Sequence, residues 1–308
     1  TRVLETRRDR LVTMLVLPLM SCGARLPVYL LIIGAFFKPR TLFTLFGVVR
    51  ITNQALLLFG IYLVGIVLAV LCVKVLRSTL FRGEVTPLLM ELPPYRLPTG
   101  RGLMVHMAEP TWHYVKKAGT IILAIVIVLW ALKTWPQLPE AQQQRFEARR
   151  AAVRTAPALA EPEREQRLER LAALEHRAEL EHSTIGRIGR GLEPVLSPCG
   201  FDWKVSTALV GSMAAKEVFV GQMGVIYAVG EGDEQTASLR AKLAADYTPL
   251  QGFAMMLFVL ISSPCIATVA VTARESGSVK WAALQWGYLT LLAWLVTAAF
   301  YQTATLLT

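Results

Sequence analysis

Uncharged stretches of about 20 residues organise this chain, because a helix of that length crosses roughly 30 Å of hydrocarbon. Gln54 to Val73, Leu250 to Ala273 and Trp281 to Thr308 carry no charge at all. The last of these also holds Trp281, Trp286, Trp294 and Tyr301, side chains of the kind that settle at membrane interfaces. Ala118 to Leu132 is shorter, but Lys116 and Lys117 before it and Trp130 and Trp135 around its end can anchor it, which predicts a fourth span. Two more stretches are long enough yet interrupted. Leu11 to Phe37 is split at Ser21-Cys22-Gly23-Ala24-Arg25 between Pro18 and Pro27, and Val205 to Gly230 is split at Lys216-Glu217 among Gly211, Gly221 and Gly224. Leu250 to Ala273 carries Ser262-Ser263-Pro264-Cys265 near its centre, where proline removes a backbone donor and crowds the preceding turn. The pattern predicts an all-α polytopic membrane protein with about six transmembrane segments, about three of them broken.

Between Trp135 and Ile185 the composition shifts to Ala, Glu, Arg and Gln with charges nearly balanced, which predicts an extramembrane helical hairpin over 136–184. Pro157 and Pro162 divide it into helices over Pro139 to Arg154 and Glu163 to Glu181, with Leu168, Leu171 and Leu174 on roughly one face. A solvated spacer is the plain reading of this insert, and a docking surface is the alternative. The basic residues between Lys74 and Lys117 outnumber the acidic ones, which predicts a cytoplasmic loop and puts the hairpin on the outer side. Lys38, Arg40 and Arg50 run against that orientation.

Composition agrees with a lipid setting. Of 308 residues, 54% are hydrophobic and 18% charged, below the roughly one quarter usual in soluble domains, and the mean hydropathy is +0.46. The net charge of +10 is scattered through polar segments and forms no stripe that could follow a phosphate backbone, so nucleic acid is not an expected partner. Such a charge suits an anionic membrane face. Four cysteines lie far apart without a C-x-x-C pair, which excludes a disulfide scaffold. No G-x-x-x-x-G-K-[ST] occurs, so no enzyme activity on nucleotides is expected of this chain. Gly186-Arg187-Ile188-Gly189-Arg190-Gly191 lacks dinucleotide-loop spacing and reads as a turn near an interface. Residue 1 is Thr and the first apolar run starts ten residues later, which reads as a segment of a longer protein.

An ionisable side chain in hydrocarbon costs several kcal/mol unless it faces a cavity or a partner, so Arg25, Lys216 and Glu217 are the first candidates for function. A mutual structural ion pair among these residues is the alternative. Irregular backbone survives at membrane depth where it is buried in protein or lines a water-filled path, and many transporters bind substrate there. Cys22 and Cys265 sit at two of the breaks. Each could be a small core residue, but thiolates with a carboxylate suit a borderline divalent transition metal. The candidate metal ligands are therefore Cys22, Cys265 and Glu217, with Ser21, Arg25, Lys216, Ser263 and Pro264 as path or helix-break positions. No catalytic or cofactor-binding residue emerges. Cys72 and Cys199 read as structural, and no histidine falls in an apolar span.

Several motifs resemble one family in its order: Arg8-Asp9-Arg10-Leu11 with Pro18 through Tyr29, Met90 through Thr99, Lys116 through Ile122, Ser206-Thr207-Ala208-Leu209 with Ala214 through Val218, and Pro264 through Thr268. These residues are similar to the FeoB ferrous-iron transporters of bacteria, in the membrane portion that follows their GTPase domain. The resemblance divides the chain into a FeoB C-terminal-type region with a broken helix (1–50), a transmembrane helix and cytoplasmic loop (51–117), a second Gate region (118–135 and 185–230), the hairpin (136–184) and two final transmembrane segments (231–308). It implies Fe(II) uptake across the bacterial inner membrane, with iron handled by thiols at the positions of Cys22 and Cys265. It also implies FeoA and FeoC-type small proteins as partners, GTP and Mg on a GTPase domain outside this chain, and a setting in membrane lipid, with homo-oligomers allowed. A Gate-type secondary carrier for a nucleoside-like solute is the alternative, ranked lower because no intramembrane Asn/Gln cluster is present. An intramembrane hydrolase ranks lower still, since neither thiol has a buried histidine nearby.

Overall fold

A computed structural model describes residues 4, 6–45, 49–81, 99–155, 161–227, 233–262 and 264–307. Helix dominates from the first turn. Helix α1 (Arg7–Val16) opens on Thr6, whose hydroxyl accepts from the Asp9 amide at 3.1 Å. Two 3-10 turns, Leu17–Leu19 and Gly23–Arg25, interrupt the run before α2 (Leu26–Phe36) resumes it. Pro18 and Pro27 each lie in the first turn of the element they enter, where a missing N–H costs nothing. An antiparallel hairpin of β1 (Thr41–Leu45) and β2 (Val49–Thr52) follows, a feature the sequence reading did not anticipate. Asn53 staples its base, accepting from the Arg40 amide and donating to the Lys38 carbonyl, both at 2.9 Å.

The long helices α3 (Asn53–Thr79) and α4 (Gly100–Thr134) come next, then the hairpin of α5 (Glu140–Thr155) and α6 (Glu161–His182). Leu168 and Leu171 on α6 are half-buried, but Leu174 is exposed, correcting the expectation of one shared apolar face. Steps of three residues each fall about 60° short of a full turn, so the third leucine drifts out of the stripe. Among the described residues four helical stretches are long and apolar enough to cross a membrane: Arg7–Phe36, Asn53–Thr79, Pro249–Ser276 and Val279–Leu307. The apolar part of α4, Leu123–Thr134, is shorter. The motif Met90 through Pro98 lies outside the described residues.

Helices α7 (Thr184–Leu196), α8 (Trp203–Ser212) and α9 (Val218–Ile226) form the second interrupted region. The segment Gly186 through Gly191 lies within α7, so the expectation of a turn is corrected. Gly186 and Gly189 are buried one helical step apart, and a Cβ on Gly189 would collide with Thr207 of α8. Glycine there sets the approach of the two helices. Gly211 does the same between α8 and α9, where Gln222 lies against it. With its amide oriented to donate, Gln222 reaches the carbonyls of Thr207 (2.9 Å) and Ala208 (3.2 Å).

Helix α10 (Asp233–Asp246) packs on α2 through buried Leu239 and Leu243. At its end Asp246 accepts from Lys204 at 2.5 Å and from the Tyr227 hydroxyl at 2.8 Å. Helices α11 (Pro249–Ile261), α12 (Ile266–Ser276) and α13 (Val279–Leu307) close the fold. A main core has Leu19, Val28, Tyr29, Met223, Met256, Ile261 and Leu289 essentially inaccessible, and a smaller cluster gathers Leu11, Val12, Leu15 and Phe81. At about 25 cal/mol per Å² the hydrophobic effect would drive this packing in water, but in lipid close fit and satisfied polar atoms matter more.

Candidate functional site

Each break has its own local cause. Between α1 and α2 the guanidinium of Arg25, 2% exposed, turns back and donates to the carbonyls of Pro18 (2.8 Å) and Met20 (3.4 Å). That clasp spans Ser21 and Cys22, which lie between the two 3-10 turns, and the Cys22 carbonyl accepts from the Arg25 amide at 3.2 Å. Between α8 and α9 the ladder tightens to i→i+3 bonds, from Ala214 N to Gly211 O (3.2 Å), Val218 N to Ala215 O (3.1 Å) and Val220 N to Glu217 O (3.1 Å). Between α11 and α12, Pro264 has no N–H to give, α11 ends at Ile261 and α12 begins at Ile266.

The three breaks meet. One cavity of about 580 Å³ is lined by Cys22 and Arg25 from the first, Lys216 and Glu217 from the second, and Pro264 and Cys265 from the third. Ile125, Val126 and Leu129 of α4 supply an apolar wall. The Ile266 amide donates to the Met213 carbonyl at 2.9 Å, joining the second and third breaks through backbone. Lys216, 4% exposed, donates to the hydroxyl of Ser262 at 2.8 Å and also borders a second, more apolar cavity of about 510 Å³ between α7, α8, α11 and α13.

Six of the eight sequence-predicted site residues thus line one cavity. The Ser21 hydroxyl is buried beside it without a hydrogen-bond partner among the described residues, and Ser263 lies outside them. The alternative of a mutual ion pair is not what the described residues form: Arg25 turns to two carbonyls, Lys216 turns to Ser262 and Glu217 is exposed. Cys22 is exposed towards the cavity, and Cys265 is half-buried with its sulfur 3.2 Å from the Thr268 hydroxyl. Among the described residues no three His, Cys, Asp or Glu side chains stand close enough to form a ready-made metal cluster. A cation resting here would therefore hold a few protein ligands and keep water. Ser262 and Thr268 were in motifs of the sequence but not among its candidate site residues. Position two residues before Pro264 and spacing three residues beyond Cys265 were the signals. Cys199 is fully buried, its sulfur 3.7 Å from the Trp294 carbonyl, as a structural residue should be.

Comparison with known proteins gives the lineage. A family model described as nucleoside recognition, the Gate model, matches residues 115–279, and one described as the ferrous iron transport protein B C terminus matches residues 58–109. Relatives include a Fe(2+) transport protein A/Fe(2+) transporter FeoB fusion protein of Porphyromonas gingivalis, 42% identical over 98% of this chain and 35% of its own length. Fe(2+) transporter FeoB of Helicobacter pylori is 33% identical over 98% of this chain and 45% of its own length. That of Campylobacter jejuni is 36% identical over 91% and 40%. The chain therefore spans less than half the length of these relatives. No solved structure matches it. The chain belongs to the FeoB ferrous-iron transport family, as the membrane portion that carries its Gate and C-terminal regions.

Proposed function

We propose that this chain is the permease part of a ferrous-iron uptake system in the bacterial inner membrane, and that Fe(II) passes through the cavity where the three breaks meet. The observation that carries the reading is the shared lining: Cys22, Glu217 and Cys265, separated by almost the whole chain, face one space between half-helices. Sulfur and carboxylate donors suit Fe(II), and a loose, partly hydrated site favours release as well as entry. The fusion to transport protein A in the Porphyromonas relative supports a FeoA-type partner. A FeoC-type partner, and a GTPase domain with GTP and Mg to drive the cycle, are further parts of the reading. The nucleoside carrier is less supported, although the Gate model is described as nucleoside recognition, because among the described residues the cavity is lined by sulfur, charge, aliphatic groups and the Thr268 hydroxyl, without an amide side chain to read a base.

Radio-iron uptake by the full-length protein in membrane vesicles tests this directly. Cys22→Ser and Cys265→Ser together are expected to lower Fe(II) uptake at least about tenfold while the protein still inserts, as loss of metal donors does. Wild-type uptake by the double variant removes the thiol claim.

A further inference from the structure

The second cavity, of about 510 Å³ between α7, α8, α11 and α13, plays no part in the iron reading. Its rim is exposed and apolar, with Ile188 and Val195 on α7 facing Trp286 and Leu291 on α13, while Leu209 and Phe258 are buried in its wall. Behind the rim the polar side chains already have partners. The hydroxyls of Ser206, Ser212 and Thr290 donate to the carbonyls of Asp202 (2.8 Å), Leu209 (2.7 Å) and Trp286 (2.7 Å), each within or capping its own helix. The Trp294 indole donates to the Val195 carbonyl at 2.7 Å, and Lys216 and Ser262 bond to each other. An ordered water needs about two to four polar partners, so this lining favours an apolar occupant. Gly287 extends the space. It lines the cavity, and a Cβ on it would meet no atom of the described residues within 4 Å, whereas Gly189 and Gly211 are pressed by neighbouring helices. Depth then limits what can enter. Trp286 to Trp294 lie about 10 to 23 Å along α13, a helix about 43 Å long that is apolar enough to cross a membrane, which places the mouth among acyl chains.

From this combination we propose that the second cavity takes one acyl chain of a bilayer phospholipid, which enters between α7 and α13 over Gly287 and lies against the Lys216–Ser262 pair. The chain exchanges one apolar medium for another, so what holds it is dispersion contact with walls that would otherwise face a void. Lys216 lines both cavities, and the lodged chain therefore abuts the wall between them. The lipid site does not rest on the iron reading. Another part of the full-length protein, or a second copy, laid over the mouth is the competing occupant.

Full-length protein is reconstituted in vesicles of phosphatidylethanolamine and phosphatidylglycerol that contain a phosphatidylglycerol with a diazirine midway along one acyl chain. After irradiation the adducts are mapped by peptide mass spectrometry. Adducts are expected on the buried wall at Leu209 and Phe258, which lipids ringing the outside cannot touch. Gly287→Phe fills the slot from a position without close neighbours and is expected to lower these adducts at least about tenfold, with labelling elsewhere unchanged. Leu291→Trp, on the exposed rim, is expected to act in the same direction and replaces it should the first variant fail to insert. Wild-type labelling confined to exposed residues overturns the site whether or not either variant folds, because the wall is then covered by protein. Wall adducts undiminished in an inserted variant overturn entry over Gly287. Wall labelling by a diazirine fatty acid and not by the phospholipid assigns the cavity to free fatty acid and equally overturns the proposal.

Discussion

The ammonium of Lys216 and the hydroxyl of Ser262, 46 residues apart in sequence, meet at 2.8 Å and tie the second helix break to the third. The contact lies parallel to the backbone bond from Ile266 to Met213, so two independent links hold α8–α9 against α11–α12 at the cavity. A buried ammonium with a neutral partner costs free energy, and the hydroxyl offsets part of it.

Ser262→Ala removes that partner and leaves the ammonium unsatisfied. It is expected to lower stability by about 1–3 kcal/mol, with Ser262→Thr restoring most of the loss. Thermal unfolding of the purified protein in detergent measures both. An unchanged midpoint for the alanine variant would mean that the hydrogen bond contributes nothing.

Two glycines of α7 should respond in opposite ways. Gly189→Ala drives a Cβ into Thr207 and is expected to cost about 1–3 kcal/mol, the usual penalty of overpacking. Gly191, exposed and with open space around its Cβ position, should accept alanine with a gain of up to about 1 kcal/mol from helix propensity. Equal behaviour of the two variants in the same unfolding assay would contradict the α7–α8 packing.

Arg25 holds the Cys22 loop through a planar fork that lysine cannot reproduce, since its head is a point charge on a flexible stem. Arg25→Lys is therefore expected to loosen residues 17–25. Hydrogen exchange at these amides should rise at least about tenfold, a change of about 1.4 kcal/mol in local opening. Protection equal to wild type would assign the loop's shape to the prolines alone.

Outside the spans, Asp246 at the end of α10 is held below the ordinary carboxylate range, first by the hydrogen bond from Lys204 and then by that from Tyr227, against the opposing cost of burial. A carboxyl lowered on folding adds stability above its ordinary pKa of about 3.9 and loses it as pH falls through the lowered value. Asp246 is 40% exposed, so the contribution is expected to stay below about 1 kcal/mol. Wild type should accordingly outlast Asp246→Asn at pH 6, with the difference disappearing in strong acid. A gap that persists unchanged below the carboxylate range would trace the effect to packing.

Much of this was legible in the sequence, for physical reasons that vary by element. The breaks were visible because proline, paired charge and Ser-Ser-Pro-Cys cannot continue a helix in lipid, and all three appear where residues 17–25, residues 213–217, and Ser262, Pro264 and Cys265 leave α-helical geometry. Convergence of the breaks on one cavity could not be read, since it depends on helix packing across more than 200 residues. The strands at Thr41–Leu45 and Val49–Thr52 were too short to stand out beside long apolar runs. In Gly186 through Gly191, glycine signalled a turn locally, while close approach to α8 decided for helix. Lys216 was recognised as costly, but its partner Ser262 is set by tertiary structure.

Alkylation of the cysteines in the full-length protein tests the shared iron cavity most directly. A small neutral maleimide is applied to membranes with and without Fe(II), and modification of Cys22, Cys265 and the half-buried Cys72 on α3 is followed separately. Iron resting between the breaks is expected to slow modification of Cys22 and Cys265 together by at least about tenfold, because a metal-bound sulfur is a poor nucleophile, and to leave Cys72 unaffected. Equal rates at all three cysteines, with and without iron, would contradict it.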